Sequence, residues 1–326
     1  MTIEHRDPLA EARAVLPDDT FEPLVLEPAP PADLDPDFFA DDPTDPSGLA
    51  GTVVSPIGAV GDTTWSDLAA SSPDIAAFAA DRWLGNFRRL EPLGDHHTAT
   101  REALHQIAFF AIGPKRHAAN GKIGLRFTRG GFGTPFFGQD EQVRVEGDLL
   151  IHQTADGVGE APITTVREAA AFLGVPYLVE WFPSFHDPLA PIDPDTELSV
   201  DAAAGRAIGD WFGFATSVLE ELRRTDGAAD ASRVQLWPEH FDPAIEMGSA
   251  DAGGRASYGA SPGDGSSAEP YLYVAPWSGV PDEDDPYWNA DGFGGASLSY
   301  ADLLDAEDQR AVALDFFREG WGRLSG

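Results

Sequence analysis

The sequence predicts an α+β fold: an antiparallel sheet packed by helices, behind an acidic, proline-rich N-terminal arm. Three observations lead there. Hydrophobic period switches from about 3.6 to 2 near Lys122, short alternating runs recur with turn-sized gaps, and amphipathic helical patterns bracket them. Residues 1–50 read as the extended or disordered arm and 51–326 as a single α+β domain.

The arm follows from charge and proline. Residues 14–81 hold no Lys or Arg and 14 Asp or Glu, and residues 17–46 hold eight prolines. Proline removes amide donors and like charge opposes collapse. Phe21, Leu24, Val25, Leu26, Phe38 and Phe39 offer apolar contacts that would dock the arm.

Helical patterns come next. Ser72-Pro73 caps a helix through Ile75, Phe78 and Trp83. A second runs over about 98–110, its stripe being Leu104, Ile107, Ala108 and Ala111. Residues 122–129 then alternate as a strand with Ile123, Leu125 and Phe127 on one face. Val143 and Val145 mark a further strand and Leu149 and Ile151 another, joined by a tight turn at Gly147-Asp148. A helix is expected over 165–173 and a longer one over 199–224. On the latter Gly205, Gly209 and Gly213, four apart, point to close backbone packing. Strands are expected at 233–237, 243–247 and 271–277, with a Gly/Ser/Asp-rich loop over 248–268. Capping boxes at 299–302 and 305–308 precede a last helix over about 306–321.

Composition restricts function. The chain has no cysteine, so disulfides, thiolate metal sites and Cys nucleophiles are excluded. Its net charge of -34 repels nucleic acid and anionic membranes, so neither is an expected partner. No apolar run has the length of a spanning helix and the N-terminus lacks a secretory pattern; a cytoplasmic location is expected. No cofactor or metal is expected, and the oligomeric state is open.

Motif by motif, the chemistry is sparse. Gly259-Ala-Ser-Pro-Gly263 has the letters of a nucleophile elbow. Yet Pro262 lacks the amide that an oxyanion hole takes from the residue after the serine, so no nucleophilic role is expected for Ser261. The 130–138 segment is glycine-rich without a Walker lysine and reads as a turn between strands. His97, Arg101 and His105 share one helical face, and Arg101 in the middle opposes a metal, which leaves a solvated basic face. Residues 193–197 lack the glycine and distal glutamate of a calcium loop. Acid–base material is limited to His240 and Asp242, two apart as on one strand face, with His152, Glu180, His186 and Asp187.

Charge asymmetry is the remaining feature. Residues 82–129 carry nine cations against three carboxylates, a local +6. Internal neutralisation is the first explanation. The second is a pocket for a small anionic ligand built from Arg126, Arg129, Arg144 and His152 beside the 130–138 loop.

Two blocks carry a resemblance. Gly121-Lys-Ile-Gly-Leu-Arg-Phe through Phe137-Gly-Gln-Asp-Glu-Gln-Val-Arg-Val is one. Leu236-Trp-Pro-Glu-His-Phe-Asp, Tyr258-Gly-Ala-Ser-Pro-Gly-Asp and Glu269-Pro-Tyr-Leu-Tyr-Val-Ala-Pro-Trp form the other. They resemble an uncharacterised bacterial family sharing a strand, F-D, a variable loop and a Y-x-Y-x-x-P segment. The resemblance covers about 120–326, implies one continuous domain there, and brings no activity. Function is therefore expected to be ligand binding or interaction without catalysis, the alternative being an enzyme, hydrolase-like or metal-assisted, that uses His240 with nearby carboxylates. Limited proteolysis followed by mass spectrometry is expected to remove about the first 45 residues and leave a stable core; an arm that resists cleavage contradicts the boundary.

Overall fold

The computed structural model describes residues 89–128, 131–134, 141–154, 157–182, 188–223 and 234–325. It also describes a few positions between 225 and 232 and the antiparallel pair Val25–Leu26 with Val53–Val54. Apart from that pair, the expected arm and the helix at 72–83 lie outside the described residues.

The elements run in order: helix α1 (His97–Ile107), a π-helical turn (Ala108–Ile112), α2 (Gly113–Asn120), β1 (Arg126–Thr128), β2 (Gly131–Gly133), β3 (Gln142–Glu146), β4 (Leu149–Thr154), β5 (Gly157–Pro162), α3 (Val166–Phe172) and α4 (Ala202–Leu222). Then follow β6 (Gln235–Trp237), β7 (Asp242–Met247), β8 (Ala256–Ser261), β9 (Tyr271–Pro276), β10 (Ala296–Ser299), α5 (Tyr300–Asp305) and α6 (Gln309–Leu324). This is the α+β architecture read from the sequence. Every pairing among these strands is antiparallel, and they form two five-stranded meanders, β1-β2-β3-β4-β5 and β10-β9-β8-β7-β6.

Around α4 the rest is arranged. Asp201 caps its first turn, accepting from the amides of Ala203 and Ala204. Ile208, Trp211, Phe212, Phe214, Ala215, Val218, Leu219 and Leu222 are all buried, so the helix is apolar around most of its circumference and has to be enclosed. It packs on β1, β2 and β3 of the first sheet and on β7 and β8 of the second. The sheets meet at their edges, where Leu125 and Leu236 exchange backbone bonds of 2.7 and 2.9 Å. Helices α1 and α6 complete the enclosure against α4.

Several expectations are corrected. The second helical pattern does not stop at Phe110; it continues through the π-turn and α2 to Asn120, with its predicted stripe buried. Residues 248–268 are not all loop, since β8 is the centre of the second sheet. Its alternation is masked because, Tyr258 apart, small residues fill both faces: Ala256, Tyr258 and Ala260 face the core, and Ser257, Gly259 and Ser261 the other side. Strand β5 is an addition to the expected set; Gly157, Gly159 and Ala161 on one of its faces give it no apolar alternation. The second capping box belongs to Asp308 alone, which accepts from the amide of Ala311 and starts α6 at Gln309. The Ser299 cap is as expected.

Close packing at the helical glycines is seen at Gly205, where a Cβ would overlap the carbonyl of Gly147 in the β3–β4 turn. Backbone on the opposing side cannot swing away. Gly205→Ala is expected to cost about 1–3 kcal/mol through overpacking, measured as a lowered urea midpoint with an unchanged m-value.

Candidate functional site

Strict alternation divides the second sheet into two faces. Pro243, Ile245, Met247, Ala256, Tyr258, Ala260, Leu272 and Val274 lie on α4 and α6, and all are buried. The opposite face carries Asp242, Ala244 and Glu246 from β7, Ser257, Gly259 and Ser261 from β8, and Tyr271, Tyr273 and Ala275 from β9. The register sets Ala244, Gly259 and Tyr273 side by side. Gly259 is required there. A Cβ at this position would overlap the Tyr273 hydroxyl, so its absence lets the Tyr273 ring lie across β8 to reach Asp242 on β7.

That face is the floor of a cavity of about 710 Å³, with Trp237 at the end of β6, Glu239 and His240 from the β6–β7 turn, Asp264, Trp277 and Phe293 around it, and His105 behind. The volume falls within the range of small-molecule sites. The hydroxyls of the floor are committed to carboxylates. Tyr273 donates to Asp242 Oδ2, Ser257 donates to Glu246 Oε1 at 2.8 Å, and Tyr271 donates to Asp264 Oδ2 at 2.6 Å. The Trp277 indole donates to Ser257 Oγ. Asp242 is only 5% exposed, and its Oδ1 has no hydrogen-bond partner among the described residues.

Electrostatics follow from this burial. Desolvation raises the Asp242 carboxyl above its ordinary range, against the lowering influence of His240 and the Tyr273 bond; Asp264 adds to the rise. Glu239 and Glu246 are raised for the same first reason. Asp264 goes the other way: burial opposes it, but bonds from Ser266, Tyr271 and the amides of Ser266 and Ser267 hold it low. The His105 imidazole is pushed down to about 4 by burial and is neutral at physiological pH.

The stripe His97, Arg101, His105 is not a solvated basic face, which corrects the sequence reading. His97 and Arg101 are buried, and the stripe ties the cavity's loops to α1. His97 Nε2 donates to the Pro262 carbonyl at 3.0 Å, Arg101 to the carbonyls of Ser267 and Ala268, and His105 Nε2 to those of Pro238 and Glu239. His105 also stacks on Phe241 with centroids 5.2 Å apart. Phe241 has φ 58, a left-handed conformation unusual for a bulky residue. Its ring goes into the core against Phe132 and Phe212, while its neighbours His240 and Asp242 both line the cavity.

His240 and Asp242 are thus brought together, though not as two residues of one strand face: His240 lies exposed in the turn and Asp242 opens β7 buried. The anion-pocket group is divided. Arg126 and Arg144 share a row across Gly133 on the first sheet, where Arg144 donates to Glu146 at 2.7 Å. His152 belongs to the row of Val143 and hence to the opposite face, where its Nε2 meets Glu141, which also pairs with Lys115 at 2.8 Å. Arg129, His186 and Asp187 lie outside the described residues, and Glu180 is exposed. Arg89 and Arg101 take backbone carbonyls, so main-chain oxygen as well as carboxylate neutralises the basic segment. Ser261 ends β8 inside the cavity, accepts from the Gly263 amide and sits on no strand-to-helix elbow.

Among the described residues no group of three or more His, Asp or Glu could hold a metal ion, and no helix is long and apolar enough to cross a membrane. Comparison with protein-family models, curated proteins and solved structures finds no match.

Asp242 yields a prediction with a definite sign. Its folded value lies above its unfolded one, so the stability it contributes is present at low pH and lost as pH rises through the folded value. Asp242→Asn keeps an acceptor for Tyr273 and is always neutral. It is expected to be more stable than the parent at pH 7.5, where the parent's buried carboxyl is ionised against its desolvation or stays protonated at a cost. The gain should disappear near pH 4; urea unfolding at both pH values checks it.

Proposed function

We propose that this chain is a ligand-binding protein and that the cavity over β7, β8 and β9 is its binding site. One observation carries the reading: a buried carboxylate, Asp242, lines a cavity and keeps one oxygen without a partner among the described residues. A buried acceptor left without a partner costs about 1–3 kcal/mol, and a fold tolerates that where a ligand completes the bond. Placement of polar groups on a rigid sheet, with their rotamers set by hydroxyl partners, is the arrangement of a preorganised site. The resemblance to an uncharacterised family adds no activity, so the site geometry alone supports this reading.

A thermal-shift screen of metabolites against the parent and against Ala275→Trp tests it. Ala275 points into the cavity from β9, and the larger ring would fill it without touching the core face. Ligands of the site should raise the melting temperature of the parent, a gain of about 2.7 kcal/mol at a hundredfold excess over Kd, and leave the filled variant unmoved. Hits that shift both proteins equally would refute the assignment.

A second reading is supported by the opposite displacement of two carboxyls in one cavity. Asp242 is raised and Asp264 lowered, with His240 beside them, which is the separation of roles that acid–base hydrolysis uses. Turnover of chromogenic esters or glycosides by the parent and not by Asp242→Asn would establish it over simple binding.

A further inference from the structure

Every hydroxyl proton traced on the cavity floor points at a carboxylate or at another hydroxyl. Tyr273 gives its proton to Asp242, Ser257 to Glu246 and Tyr271 to Asp264, and Ser261 lies in hydrogen-bond contact with Tyr271. What this arrangement leaves without a hydrogen-bond partner among the described residues is an acceptor, Asp242 Oδ1, on a side chain that lines the cavity. The described lining holds four carboxylates, from Glu239, Asp242, Glu246 and Asp264, and no Lys or Arg. Trp237, Trp277, Tyr271, Tyr273 and Phe293 supply aromatic surface around them. Aromatic faces attract cations through the negative side of the ring quadrupole. At the rim the protein already shows this chemistry with a group of its own: the Arg255 guanidinium lies 5.0 Å from the Trp277 ring centroid.

An anion is disfavoured in such a cavity. A sugar asks a site to donate as well as accept; the floor hydroxyls have their protons directed elsewhere, which leaves the His240 ring as the exposed donor of the lining. A metal ion lacks a ligand set among the described residues. On the reading that this cavity is the ligand site, we infer that its ligand is an organic cation, an ammonium or amidinium-type group on an apolar body, whose charge is held by Asp242 and the other three carboxylates of the lining while its body lies among the aromatic rings. The chain's net charge of -34 would concentrate such a ligand near the surface.

Burial that raises Asp242, Glu239 and Glu246 gives a second readout. The groups facing Asp242 are His240, Tyr273 and Asp264, and Arg255 faces Glu246. A bound cation favours the ionised carboxylates, so binding should release protons and weaken on acidification.

Matched pairs test the inference: benzamidine against benzamide, phenethylamine against phenethyl alcohol, and agmatine against butanediol. Calorimetry of the full chain at pH 8 is expected to show at least one cation binding about tenfold or more tightly than its neutral partner, the preference that about 1.4 kcal/mol represents. That preference should drop at pH 5, be lost in Asp242→Asn and be reduced in Glu246→Gln. Because Asp242→Asn is expected to be the more stable protein, a loss of binding there is not a loss of folding. If no cation in the panel outbinds its neutral partner, the inference is wrong. Neutral or anionic ligands that bind the parent and not Ala275→Trp would leave the cavity as the site and overturn only its specificity for cations; cation binding unaffected by Ala275→Trp would overturn both.

Discussion

Enclosure of α4 is the constraint on which the rest of the structure depends. A helix of 21 residues that presents Trp211, Phe212, Phe214 and Leu219 on different sides cannot rest on one layer. One five-stranded sheet covers part of it and leaves the remainder wet. The second sheet joins the first at a seam, the Leu125–Leu236 bridge. Burying side chains of this size is worth about 1.5–3 kcal/mol each, far more than the seam's two backbone bonds at about 1 kcal/mol apiece. Apolar burial therefore dictates where the seam runs, and the hydrogen bonds fix its register.

The cavity is a consequence of that enclosure. Because one face of the second sheet is committed to α4 and α6, period-2 alternation sends every other residue of β7, β8 and β9 outward. Phe241 links the two sides. Its ring is a wedge between Phe132 and Phe212, and its left-handed backbone turns the chain so that His240 and Asp242 emerge on the far side. A non-glycine residue held there costs about 1–3 kcal/mol, offset by the aromatic contacts it makes. Core packing and site geometry thus share one residue, and the His105 ring stacked on Phe241 carries the link on to α1.

Legibility in the sequence tracks how strongly a pattern is driven by apolar burial. Large side chains at a clean period mark α4 and the β3–β4 hairpin, and both are legible in type and place. β8 is not, because Ala-Ser-Tyr-Gly-Ala-Ser offers mostly small residues; what makes it a strand is the demand of Tyr273 and Tyr258 on its two faces, a tertiary fact. The burial of His97 and Arg101 is hidden for a related reason. Burying such donors is only favourable when carbonyls are waiting for them, and the loop that supplies them, 262–268, is more than 160 residues away in sequence. His240 and Asp242 stand out as polar residues near a strand. Glu246, Tyr271 and Tyr273 escape the sequence reading although a signal exists: Asp242, Ala244 and Glu246 step by two along β7, and the two tyrosines step by two along β9.

On the proposed binding reading, stability and function conflict at Asp242. An asparagine in its place would satisfy Tyr273 and remove a buried charge, so folding alone offers no reason for the acid. Glu246 shares the strand face and adds a second carboxyl that burial raises, held by Ser257. Each of the two is oriented by a hydroxyl from another strand, so their oxygens sit at a fixed spacing. The orientation matters more than the charge count: an acidic surface patch would be solvated and adaptable, whereas these oxygens are held by β8 and β9 and shielded by aromatic rings. Low local dielectric makes the unmatched Asp242 acceptor costly when empty and strongly attractive to a donor that fills it. Cost and attraction are therefore one property of the buried carboxylate, and the proposed binding reading rests on that property.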